Sequence, residues 1–83
     1  MKVEVRYFAS VREALGAGET VEVDGGADVA ALRDALVARG GRHAEALGRP
    51  RLLRSARNRV LCSEATLLQA GDEVGFFPPV TGG

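Results

Sequence analysis

The segment from Asp28 to Gly41, DVAALRDALVARGG, restricts the possible folds of this chain more than any other. Val29, Leu32, Leu36 and Val37 recur at helical spacing and fall on one face. Asp28 can cap the first turn, because a short carboxylate accepts from the free amides there. Gly40 and Gly41 end the helix. A helix with one apolar stripe must bury that stripe against another layer. The rest of the chain offers mostly short stretches with period-two alternation.

KVEVRYFA (2–9) and ETVEVDG (19–25) read as strands, with Val3, Val5, Tyr7, Val21 and Val23 turned inward. Between them SVREALG (10–16) carries Ser10 and Glu13 at capping-box spacing, so a short helix opening at Ser10 is expected. RHAEALG (42–48) could add a helical turn after the main helix. RLLRSA, RVLC and DEVGFF then read as further strands, with a turn inside ARNR (56–59) and a connection over LLQAGD (67–72). The order of elements implies an α+β fold: a mixed sheet with one main helix packed across it. The first two strands pair antiparallel and the last lies beside the first. That arrangement is the β-grasp, the fold of ubiquitin. The 83 residues make one domain, which at this size buries roughly 60–65% of its unfolded surface.

Composition excludes several classes. Eleven basic residues balance eleven acidic ones, without the surplus of positive charge usual in nucleic-acid binders. Cys62 is the one cysteine, so the chain carries no internal disulfide. No apolar run is long enough for a transmembrane helix, and the alternating start lacks a signal peptide's apolar segment. The expectation is a cytoplasmic protein with neither nucleic acid nor membrane as partner.

Three apolar residues break the strand patterning. Phe8 shares the parity of Lys2, Glu4 and Arg6; Phe77 that of Glu73 and Gly75; Leu61 that of Arg59. On neighbouring strands these three side chains would form one exposed patch. Covering it with a partner is worth roughly 1.5–3 kcal/mol per side chain. A bulge that reverses the parity, or a covering loop, would remove the patch.

The chain closes with FFPPVTGG (76–83). Pro78 and Pro79 fix φ, lack N–H donors and so end the ladder of the last strand. Val80, Thr81, Gly82 and Gly83 reach at most roughly 14 Å beyond them. A diglycine has no Cβ and can thread a channel too narrow for other residues. These features suggest a protruding flexible tail over 78–83, with the Gly83 carboxylate presented at its tip. A carboxylate becomes reactive once adenylated with ATP; sulfur then gives a thiocarboxylate, and an amine gives an amide.

GDEVGFFPPVTGG (71–83) closely resembles the C-terminal signature of the small, sulfur-carrier subunits of molybdopterin synthase, the MoaD family. VRYFASVRE, VAALRDAL and RLLRSARNRVL resemble that family's first strand and short helix, its long helix and its middle strands, so the likeness spans nearly the whole chain. It implies a β-grasp fold and adenylation of Gly83 by a ubiquitin-activating-like adenylyltransferase. A sulfur donor protein would then form the thiocarboxylate. The tail, Pro78 to Gly83, would insert into the large catalytic subunit and give its sulfur to cyclic pyranopterin monophosphate. Phe8, Leu61 and Phe77 would contact the large subunit and the activating enzyme. The chain itself would bind no metal and no cofactor, ATP being used by the activating enzyme, and two small chains would sit on a dimer of large ones. Asn58 fits the family's usual Val-Asn pair, whereas Arg57 departs from it.

Other candidates carry less. Cys62 could relay sulfur, but its parity with Val60 suggests a buried apolar thiol. His43 lacks a companion ligand and is expected to be solvated. Asp72 and Glu73 alternate faces, so they read as a turn aspartate and a solvated glutamate. Arg51, Arg54, Arg57 and Arg59 form a basic run suited to a solvated face or an acidic partner. Two rivals share the tail chemistry: a sulfur carrier for thiazole or tRNA thiolation, and a ubiquitin-like modifier. The Phe-Pro-Pro stem argues against the first. Against polymers of the second, Lys2 and the N-terminus are the only amines available. A binding module with an inert tail is the remaining alternative.

Overall fold

In the computed structural model, described here for residues 1–79, β1 (Lys2–Tyr7) alternates strictly, with Val3, Val5 and Tyr7 buried and Lys2, Glu4 and Arg6 exposed. β2 (Gly18–Glu22) pairs with it antiparallel, in the register Val3↔Val21 and Val5↔Glu19. β2 stops three residues short of the predicted end. Met1 and Val23 exchange the last hydrogen bonds, and the chain then turns, with the Asp24 carbonyl accepting from the Ala27 amide.

α1 (Ala9–Leu15) opens before Ser10, and the expected capping box is absent. The Phe8 amide still bonds to the Phe76 carbonyl, so Phe8 stays tied to the last strand as it enters the helix; its own carbonyl accepts from Val11 and Arg12. The chain turns at Ala9, with φ 52, which starts the helix early and leaves the Ser10 side chain off the cap. α2 (Val29–Val37) is the main helix and is capped as expected, with Asp28 Oδ1 accepting from the Ala31 amide at 2.8 Å. Val29, Leu32 and Leu36 are fully buried. Gly40 and Gly41, at φ 73 and 55, make the bend that starts α3 (Gly41–Leu47), a complete short helix where one turn was expected.

β3 (Arg54–Arg57), β4 (Val60–Cys62) and β5 (Glu73–Phe77) complete a mixed sheet of order β2-β1-β5-β3-β4. β5 lies beside β1, parallel to it, with Val5 opposite Val74. β3 starts three residues later than RLLRSA predicted. The carbonyls of Gly48 and Arg51 are taken by a side chain of α2, which steers residues 48–53 away from the sheet and leaves Leu52 80% exposed. Val60, expected to point inward, is 68% exposed, because β4 is the sheet edge and its end extends beyond the helical layer. Cys62 does pack half-buried against the core.

The helices cover one face of the sheet around Val3, Val5, Tyr7, Val11, Leu32, Leu36, Leu47, Val74 and Phe76. The fold is thus an α+β β-grasp, with two additional short helices beside the main one. Among the described residues, no helix is long and apolar enough to cross a membrane.

Two polar clusters fasten the helical layer. Arg33 on α2 is 4% exposed. Its Nε donates to the Leu47 carbonyl at 2.7 Å and its Nη2 to the carbonyls of Gly48 and Arg51, at 2.8 and 2.9 Å; Nη1 pairs with Glu64 Oε2 at 2.6 Å. In the second cluster Glu19 accepts from the Tyr7 hydroxyl at 2.8 Å, pairs with Arg39 and lies 2.8 Å from His43 Nε2. His43 is therefore an inter-element tether, not the solvated residue expected. Its ring also meets Tyr7 edge-on at a centroid distance of 6.5 Å. Partial burial alone would raise the Glu19 carboxyl, but bonds from His43, Arg39 and Tyr7 outweigh it and bring the group down to about 2.

Arg33→Ala strips the carbonyls of Leu47, Gly48 and Arg51 and the Glu64 carboxylate of the guanidinium that joins them, although Gly48 keeps the Arg51 amide and Glu64 keeps Arg49, so unfolding free energy should fall by about 3 kcal/mol in urea titration. Glu19 binds its proton more weakly folded than unfolded, from an ordinary value of 4.5 to about 2. Stability should therefore be fully present above the ordinary value and decline as pH falls through that window. Thermal melts of Glu19→Gln should show a smaller loss than the parent over the same range.

Candidate functional site

The helices leave the opposite face of the sheet open, and the apolar residues of polar parity meet there. Phe8, Leu61 and Phe77 line one shallow groove with Arg6, Ala56, Arg59, Glu73 and Gly75, enclosing about 450 Å³. Phe8 is 47% exposed and Leu61 62% exposed, while Phe77 is half-buried. The Phe8 and Phe77 rings meet edge-to-face, with centroids 6.4 Å apart and planes at 81°. Leu61 reaches the groove from the edge strand, where it pairs with Ala56 of β3.

Gly75 makes this arrangement possible. It stands opposite Arg6 in the parallel register, and a Cβ built there would lie 3.0 Å from Phe8 Cε2. Without that atom, the Phe8 ring can lie across β5 toward Phe77. Sequence reasoning placed Gly75 on the right face without giving it a role. A glycine inside an otherwise regular strand was the available signal, since it often marks a close approach by another group.

Asn58 shapes the other end of the groove. Asn58 and Arg59 form the β3–β4 turn, both with positive φ, 50 and 69. The Asn58 backbone amide donates to the Glu73 carbonyl, its side-chain oxygen accepts from the Glu73 amide, and its Nδ2 donates to Asp72 Oδ1. Asp72 also accepts from the Gln69 amide at 2.8 Å. The Gln69 and Asn58 donors hold its carboxyl below the usual aspartate range. Asp72 is a turn aspartate as expected, but a nearly buried one. Glu73, expected to be solvated, is half-buried between Arg6 and Arg59, each with Nε 3.4 Å from one of its oxygens. The two carboxylates thus have separate structural partners.

The tail leaves this sheet at Phe77. Pro78 is half-buried and lines a second hollow with Ser10, Val11, Ala14 and Pro50; Pro79 is exposed. Val80, Thr81, Gly82 and Gly83 lie outside the described residues. The stem of the tail therefore starts from β5, with the exposed aromatic groove on one side of the sheet and the core on the other.

Residues 5–83 match the ThiS family. The molybdopterin synthase sulfur carrier subunit of Escherichia coli is 44% identical over 81 residues, covering 98% of this chain and 99% of that protein. Among solved structures, SAMP1 from Haloferax volcanii superposes with a TM-score of 0.79 at 32% identity, covering all of both chains. A protein–protein complex of subunits 1 and 2 of the molybdopterin-converting factor from Helicobacter pylori matches with a TM-score of 0.71 at 31% identity, again covering all of both chains. With nearly its whole length matched in sequence and in fold, this chain belongs to the ThiS family.

Proposed function

We propose that this chain is the sulfur-carrier subunit of molybdopterin synthase. The observation that carries the reading is near full-length similarity to proteins of that name, together with the FFPPVTGG ending. In this role the Gly83 carboxylate attacks ATP on an adenylating enzyme, releasing pyrophosphate, and a sulfur donor displaces AMP to leave a thiocarboxylate. The tail, from Pro78 to Gly83, then enters the large subunit and delivers the sulfur to cyclic pyranopterin monophosphate. This chain's own residues supply the carrier atom, the slim tip and the docking face; the partners supply the catalytic groups. The Helicobacter pylori complex of two subunits supports a large-subunit partner. Phe8, Leu61 and Phe77 form the contact face, because they are the apolar side chains gathered in one groove on the open side of the sheet, with Phe77 directly before the stem.

The likeness to SAMP1, one of a pair of solved structures described as a small archaeal modifier protein, favours a second reading in which Gly83 is joined to amines of other proteins. The two diverge at the fate of the acyl group. Intact-mass analysis of the chain purified from its own cells should find one oxygen replaced by sulfur and a large synthase subunit alongside. Adducts linked to lysines of other proteins would favour the modifier instead. An unmodified tail in cells making molybdenum cofactor would overturn both.

Deleting Gly82 and Gly83 should abolish sulfur transfer in a reconstituted synthase assay without changing the unfolding midpoint. Leu61→Ala should weaken large-subunit binding by about tenfold in calorimetric titration. Because Leu61 is 62% exposed, its stability should stay within about 0.5 kcal/mol of the parent.

A further inference from the structure

The chain is formally neutral, but the groove end of its open face is not. Arg6 and Arg59 line the groove, and Arg54 stands on the same face, opposite Phe77 in the β3–β5 register. Glu73 is the one acid in the groove lining, shared by Arg6 and Arg59 at 3.4 Å each. Glu4, the register partner of Glu73, lies further down β1 and accepts the Thr20 hydroxyl. Among the described residues the Arg54 side chain makes no hydrogen bond or ion pair. Two guanidinium groups thus line the groove with one carboxylate between them, and a third stands beside it on the same face.

Arg59 is the more telling of the three. It occupies the second central position of a two-residue hairpin loop at φ 69, where glycine is favoured because it has no Cβ to strain. It is 89% exposed and makes one long contact. The fold gains little from an arginine there, so the use of its guanidinium is sought outside the chain.

We propose that this face docks a protein surface whose apolar side chains are ringed by carboxylates, with Arg59 and Arg54 receiving those carboxylates as Phe8, Leu61 and Phe77 are covered. The proposal rests on reading the groove as the docking face for the large subunit and adds the charge of the partner. Arginine suits the task because its planar fork can bind a carboxylate through two hydrogen bonds. The apolar groove beside the guanidinium groups favours a protein surface over a nucleic acid. Glu73 keeps Arg6 and Arg59 over the groove in the free chain, and its own charge opposes that of the incoming partner.

Association of the full chain with purified large subunit, followed by stopped flow from low salt to about 0.5 M, tests this. The parent rate should fall with salt. Arg59→Gly should slow association by about three- to tenfold at low salt and converge with the parent at high salt. Its unfolding midpoint should equal or exceed the parent's, which excludes misfolding as the cause. Glu73→Gln should do the reverse and speed association by about two- to threefold at low salt. Unchanged rates in both variants, or both signs inverted, would overturn the acidic-partner assignment while leaving the reading of function intact. Salt-sensitive binding of single-stranded DNA that Arg59→Gly abolishes would overturn it in favour of a nucleic acid. A parent chain that does not bind the large subunit would overturn the reading of function and this assignment with it.

Discussion

The helical layer is held together by the buried guanidinium of Arg33. An unpaired charge at 4% exposure would be strongly destabilising, so its fork must be filled. Its partners fill it from three directions. The Leu47 and Gly48 carbonyls belong to the end of α3, where a helix leaves its last acceptors without partners inside the helix. The Arg51 carbonyl belongs to the loop leading to β3, and Glu64 to the segment returning from β4. Glu64 and Thr66 in turn give backbone carbonyls to the first turn of α2, through Ala30 and Val29. Arg49 adds a second bridge, pairing with Glu64 and Asp34. One side chain thus joins α2, α3 and both connections that flank the β3–β4 hairpin. The layer closes over the inner face of the sheet, and the outer face is left open.

The outer groove depends on small features of backbone chemistry more than on its aromatic residues alone. Gly75 lets the Phe8 ring cross β5, and Asn58 ties the β3–β4 turn to the start of β5 through three hydrogen bonds with Asp72 and Glu73. The turn therefore cannot shift without disturbing the strand that carries Phe77. Leu61, Phe77 and Phe8 come from an edge strand, a central strand and a helix entrance, yet they share one frame.

Much of this could be read from the residues. Period-two alternation set the faces of β1 and β5 correctly, and the same parity put Phe8, Leu61 and Phe77 on the open side, where the structure places them together. Asp28 capped the main helix as expected. The misreadings came where long-range contacts decide. Ser10 lost its cap because Phe8 stays bonded to Phe76, at the far end of the chain. Val60 alternates correctly but lies where no helix covers the sheet. The ligands of Arg33 and the tethering of His43 to Glu19 join distant segments, which leave no periodic trace in a single sequence. Asn58 fits a family position in the sequence, but its bonds to Asp72 and Glu73 depend on the turn geometry.

The position of β5 has a mechanical consequence. It runs in the middle of the sheet, parallel to β1 and antiparallel to β3, and the tail continues directly from its end. A force drawing the tail outward along the strand loads both ladders in shear, so their hydrogen bonds resist together and do not open one at a time from an end. An edge strand pulled sideways would peel away under far less tension. A pull on the segment after Phe77 therefore meets the resistance of the whole sheet, and the domain holds as a fixed anchor.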